Sequence, residues 1–63
     1  MIKVALDAMG GDNAPIEIVK GAIAAVNASN ECFVYLVGQE DVVRAELAKY
    51  TYNEKQIEVV NAS

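Results

Sequence analysis

The sequence predicts an α/β fold, the β-α-β-α-β half of a doubly wound domain with a parallel sheet. Three observations carry this expectation. Short β-branched apolar runs alternate with segments of helical periodicity. A glycine turn joins the first run to the first helical segment. The middle run, Cys32–Val37, is apolar throughout and lacks the polar alternation of a half-solvated strand.

Ile2–Leu6 reads as a strand, with Ile2, Val4 and Leu6 alternating on one face. Asp7–Ala14 is turn chemistry, because Gly10-Gly11 and Asp12-Asn13 tolerate unusual backbone angles. Pro15 marks a helix start, where its fixed φ suits the first turn and its missing N–H is no loss. From there Ile16, Val19, Ile23 and Val26 follow helical spacing, with Ala22 and Ala25 beside them. Lys20 and Asn27 fall off that stripe, and the helix is expected to fade in Asn27–Asn30. Cys32–Val37 then reads as a strand buried on both faces and ending at Gly38. A second helix is expected from about Glu40 to Lys49, with Val42, Val43 and Leu47 apolar and acids in its first turn. Tyr50–Gln56 is a connection and Ile57–Val60 a third strand. Strands separated by helices imply parallel pairing with right-handed crossovers.

Size bears on completeness. A chain of 63 residues allows one small domain, and a domain of about 60 residues buries only roughly 60% of its unfolded surface. The usual reinforcements are missing: Cys32 is the only cysteine, there is no histidine, and neither CxxC nor HxxxH spacing occurs. Hydrophobic residues nevertheless make up 54% of the chain. Two helices cannot cover both faces of a three-stranded parallel sheet, so further elements are expected from the remainder of its own chain or a partner. Residues 1–63 are therefore read as the N-terminal part of a single larger α/β domain, with no internal boundary. No uncharged apolar stretch approaches the length of a spanning helix. Asp7 comes too early for the apolar core of a signal peptide. With no disulfide framework, a reducing, cytoplasmic setting is the expectation. The net charge of −4 is scattered, which gives no basic footprint for nucleic acid.

In open parallel α/β sheets, ligands bind at the carboxyl ends of the strands. Three segments fall there: Asp7–Asn13, Gly38-Gln39 and Asn61–Ser63. The first is the richest. Gly10 and Gly11 let the backbone turn tightly and approach a ligand, and a helix starting near Pro15 points its positive end at the same spot. The loop matches neither common nucleotide fingerprint. Asp7 and Asp12 oppose a bound anion: a carboxylate about 4 Å from a phosphate oxygen costs roughly 4 kcal/mol per charge pair at an effective dielectric near 20. At least one is expected to turn into the loop and accept backbone N–H groups; structural roles for both are the favoured reading, and the alternative is that the second orients a hydroxyl or acts as a base. Cys32 begins its strand, at the edge opposite the ligand, and reads as a structural thiol rather than a nucleophile. Tyr35 reads as core, Tyr50 and Tyr52 as anchors of a connection or contacts to a partner surface, and Glu40, Asp41 and Glu46 as a capped, solvated helix face. Asn61 and Ser63 are weak functional candidates.

The string Ile2-Lys-Val-Ala-Leu-Asp-Ala-Met-Gly-Gly-Asp-Asn-Ala-Pro15 closely resembles the opening of the PlsX family, the acyl-carrier-protein-dependent phosphate acyltransferases. Tyr35-Leu-Val-Gly38 and Ile57-Glu-Val-Val-Asn-Ala-Ser63 fit in order and distance, so the resemblance covers essentially the whole chain. Family members are several times longer. Many carry histidine where Asn13 and Asn61 stand, and aspartate where Gln39 stands; an amide cannot titrate, so neither Asn13 nor Asn61 is assigned proton transfer.

The resemblance implies a Rossmann-like three-layer αβα sandwich of the isocitrate/isopropylmalate dehydrogenase type, normally homodimeric. It also implies transfer of a fatty acyl group from acyl-carrier protein to inorganic phosphate, giving acyl phosphate for phospholipid synthesis. No cofactor or metal is expected, and contact with the membrane is peripheral, through parts not present in this chain. Gly10, Gly11, Asp12 and Asn13 are expected to line the phosphate and acyl site, with Asp7 supporting the loop. Catalytic residues are not assignable within this chain.

Two alternatives stand beside this reading. A haloacid-dehalogenase-type phosphatase also puts an aspartate after its first strand, but needs a second acid two residues on, where Met9 stands. A non-catalytic phosphate- or nucleotide-binding α/β module would use the same loop without the reaction.

Overall fold

The longest apolar run forms the central strand. The computed structural model describes residues 1–62, and in it β2 (Cys32–Gly38) lies between β1 (Ile2–Asp7) and β3 (Ile57–Asn61). Both pairings are parallel. Ile2 aligns with Cys32 and Asp7 with Val37, while Val34 aligns with Ile57 and Gly38 with Asn61. The crossovers are α1 (Ile16–Ala28) and α2 (Glu40–Leu47), and a single 3-10 turn, Glu54–Gln56, leads into β3. This is the expected β-α-β-α-β order, in a Rossmann-like arrangement. Among the described residues, no helix is long and apolar enough to cross a membrane.

Residues in register on neighbouring strands share a face, and successive residues alternate between faces. Val34, Leu36 and Ile57 therefore point one way, and they form one buried cluster with Val19, Ala22, Ile23 and Val26 of α1 and Val43 and Leu47 of α2. Both helices thus cover the same face. The opposite face carries Lys3, Ala5, Phe33, Tyr35, Val37, Glu58 and Val60, all half-buried or exposed. Phe33 and Tyr35 lean on each other there, with ring centroids 4.9 Å apart. Within the described residues Cys32–Val37 is thus buried on one face only, as follows when two helices cannot cover both sides of a three-stranded sheet, and Tyr35 is half-buried on the uncovered face rather than in the core that this chain builds by itself. Within the described residues nothing packs on that side.

Other expectations shift for local reasons. β1 runs to Asp7 rather than Leu6 because Asp7 still pairs with Val37, and the next residue continues the ladder with Ala8 N–H donating to Val37 O at 2.8 Å. Turn geometry therefore begins at Ala8. The inward stripe of α1 keeps Val19, Ala22, Ile23 and Val26 but loses two members. Ala25 is exposed because it precedes Val26 by about 100° around the helix. Ile16, in the first turn, is 50% exposed. α2 stops at Leu47, not Lys49, since Lys49 and Tyr50 donate to the carbonyls of Glu46 and Leu47 in a tighter turn. Glu46 is not on a solvated face. It shares the inward stripe with Val43 and Leu47, is only 9% exposed, and its carboxylate accepts from Lys49 Nζ at 3.0 Å. Tyr50 and Tyr52 pack against the core from the connection they were expected to anchor.

Gln56 is the polar residue most deeply embedded in the fold. At 7% exposure, its side-chain amide donates to Ser29 O and to Cys32 O, both at 2.8 Å. It ties the start of β3 to the corner between α1 and β2, and both donors of its NH₂ group are used. Replacing it with leucine of similar bulk leaves two carbonyls without their donor. Gln56→Leu is expected to destabilise the protein by about 1–3 kcal/mol. A urea melt of the variant checks this: an unchanged midpoint would show that the two bonds contribute nothing.

Candidate functional site

Parallel pairing brings the carboxyl ends of all three strands to one edge. Asp7, Gly38 and Asn61 end them, and Ala62 N–H donates to Gly38 O at 2.8 Å to keep the chain beyond β3 beside β2. The first loop is folded by its own aspartate. Asp7 Oδ1 accepts the Met9 N–H at 3.0 Å, and Gly10 N–H reaches Asp7 O at 3.3 Å. This is the Asx-type turn that a short carboxylate makes two residues ahead of itself. Ala8, fully buried, anchors it to the sheet. Gly11 takes φ +93°, a conformation that glycine adopts without strain and side-chain-bearing residues resist.

The loop then enters α1. Pro15 stands just outside as the N-cap, and Glu17 N–H donates to Asn13 O at 3.3 Å. No side chain caps this helix start. Among the described residues, the N–H groups of Gly11, Asp12 and Asn13 have no hydrogen-bond acceptor. They belong to the exposed segment that leads into the N-terminus of α1. Across the edge, α2 begins after Gln39, and its first N–H, that of Glu40, is capped at 3.0 Å by Asn61 Oδ1 reaching over from β3.

Between the loop and the ends of β2 and β3 lies a cleft of about 340 Å³, lined by Asp7, Met9, Val37, Gly38, Gln39 and Ala62. Of the five residues expected to line or support the site, only Asp7 is in its wall, but Met9, Gly38, Gln39 and Ala62 all belong to the three segments expected at the ligand edge. Gly10, Gly11, Asp12 and Asn13 form the adjoining loop, and Ser63 lies outside the described residues. Cys32, half-buried, is at the opposite end of β2. Met9 is not among the residues expected to line or support the site. Its side chain rests on Gly38, where an added Cβ would come within 2.8 Å of Met9 Cγ. Position 9, where the phosphatase reading needs an acid, is therefore packing. A signal was present in the sequence: a glycine ending a buried strand marks a close approach by something, but it does not say by what. No grouping of three His, Cys, Asp or Glu suited to a metal exists among the described residues.

The profile of a family described as fatty acid synthesis protein matches residues 2–63 of this chain. Curated relatives carry the name phosphate acyltransferase. The chain is 48% identical over 61 residues to that of Clostridium beijerinckii and 56% identical over 61 residues to that of Dictyoglomus turgidum. It is 48% identical over 62 residues to that of Syntrophomonas wolfei. These matches take in 97%, 97% and 98% of this chain but only 18%, 18% and 19% of the relatives. The chain thus spans less than a fifth of the length of the curated relatives it matches.

The cap from β3 to α2 is testable by itself. Asn61→Ala removes the acceptor for Glu40 N–H and is expected to cost about 0.5–2 kcal/mol, whereas Asn61→Asp keeps an acceptor and much of the stability. Hydrogen exchange at the first turn of α2 reads the difference. Equal protection in the two variants would mean that the cap is not used in solution.

Proposed function

The chain belongs to the PlsX family of fatty acid synthesis proteins, and from that membership we propose that it contributes the first wall of an acyltransferase site. The reaction is transfer of a fatty acyl group from acyl-carrier protein to inorganic phosphate, and the acyl phosphate product feeds phospholipid synthesis. The observation that carries this reading is the glycine loop, whose Gly11, Asp12 and Asn13 N–H groups lack protein acceptors in the segment that leads into the N-terminus of α1. A phosphate oxygen attacks the thioester carbonyl, the carbon–sulfur bond breaks, and the thiol of the carrier leaves with a proton. Such a step needs no protein nucleophile. It needs an anion site, alignment and donors for the developing oxyanion.

In this reading Gly10, Gly11, Asp12 and Asn13 line the phosphate and acyl site, and Asp7 supports the loop through its bond to the Met9 N–H. Because that carboxylate is engaged within the loop, the phosphate sits on the Gly11–Asn13 side, away from Asp7. The remaining walls come from the rest of a longer polypeptide, in a single α/β domain of the isocitrate/isopropylmalate dehydrogenase type. Its further helices cover the Phe33, Tyr35 and Val37 face of the sheet. The whole protein works without a cofactor, as a cytoplasmic homodimer that touches the membrane peripherally.

The test is Gly11→Val in the full-length protein. A branched side chain at φ +93° forces the loop to a new path, and misplacement by about 1 Å lowers rates by about 10²-fold. The expected result is a fall of that order in kcat/KM for phosphate. Unchanged phosphate KM and kcat would remove the loop from the site.

A further inference from the structure

Phosphate and acyl thioester must meet at one edge of the sheet, yet the two surfaces there differ in kind. The Gly11–Asn13 segment offers three backbone N–H groups without a protein acceptor, against the one exposed carboxylate of Asp12. The adjoining cleft offers Met9, Val37 and Ala62 as apolar lining, Gln39 and the Asp7 carboxylate as its polar side chains and, among the described residues, no lysine or arginine. An anion is repelled by such a cleft, whereas an uncharged alkyl segment suits it. Met9 is the adjustable part of the wall. It is 37% exposed, and a thioether side chain with three rotatable bonds fills irregular space. Its position is set from below, because Gly38 has no Cβ: one built there would meet Met9 Cγ at 2.8 Å and Met9 Sδ at 3.3 Å.

We propose that Met9, seated on Gly38, is the specificity-determining wall for the thioester end of the acyl chain, and that the anion stays on the glycine loop. This rests on the acyl-transfer reading above and deepens it by dividing the edge into an anion side and an alkyl side. The glycine at position 38 is then part of the specificity device, since it sets the depth at which the methionine lies.

The experiment uses the full-length protein with acyl donors of graded chain length. Met9→Ala deepens the cleft and should change the ratio of kcat/KM between long and short donors by about tenfold, the effect of a methylene-scale mismatch in an apolar pocket. Phosphate KM should stay within about twofold. Gly38→Ala pushes Met9 into the cleft and should move the ratio the other way. With Met9 Cγ and Sδ removed, the two closest contacts of a Cβ at position 38 are gone and the next, Ala8 Cβ, is at 3.4 Å, so the double variant should behave like Met9→Ala alone. That non-additivity marks direct contact.

If Met9→Ala does not fold, Met9→Leu conserves volume but branches at the atom that touches Gly38, and should lower kcat/KM for the longest donors severalfold. An unchanged donor ratio in the folded variant overturns the inference, and so does a parallel rise in donor and phosphate KM, which would mean a loop displaced as a whole. Additive effects of Met9→Ala and Gly38→Ala overturn it as well. A wild-type protein that forms no acyl phosphate from any donor instead overturns the acyl-transfer reading, and the inference with it.

Discussion

Right-handed crossovers between parallel strands laid down in sequential order put both helices on one side of the sheet. With the order β1-β2-β3, every buried aliphatic contact is made on that side: Val34 and Leu36 below, Val19, Ile23, Val43 and Leu47 above. The same constraint brings the carboxyl ends of the strands together, and with them the glycine loop, Gly38-Gln39 and the residues after β3. The core and the candidate site are thus two results of one topological rule, expressed at right angles to each other.

Parallel strands bring the backbone to the edge, but local polar bonds decide what is displayed there. Asp7 spends one carboxylate oxygen on Met9 N–H, and Asn61 spends its amide oxygen on Glu40 N–H. Each could be mistaken for a reactive group when only its type is known. In place, one shapes the loop and the other starts a helix, and the backbone N–H groups of Gly11, Asp12 and Asn13 are among the donors left over. Exposed ion pairs add little to this. The Arg44–Glu40 pair at 2.7 Å is largely solvated on both sides and worth at most about 1 kcal/mol.

The elements were legible because they depend on short-range pattern. Alternation in Ile2–Leu6, helical spacing from Val19 to Val26 and the apolar run before Gly38 each mark an element within a turn or two of its observed end. The glycine loop was legible for the same reason, since its chemistry is written in consecutive residues. What escaped depends on partners far along the chain. The inward turn of Glu46, the amide of Gln56 across 27 residues and Asn61 across 21 residues have no local signature. Met9 escaped because its role lies in the missing side chain of Gly38. An apolar run such as the one holding Tyr35 says that both faces of a strand are to be covered; it does not say which face this chain covers by itself.

The bonds made by Gln56 also set an order in time. Its amide reaches back 27 residues to Ser29 O and 24 to Cys32 O. A chain emerging at about 5–20 residues per second leaves that corner without its donors for about 1–5 s. The other side-chain bond at that corner is local, Glu31 N–H to Ser29 Oγ at 3.2 Å. The corner can therefore be completed only once the last residue before the third strand has been made.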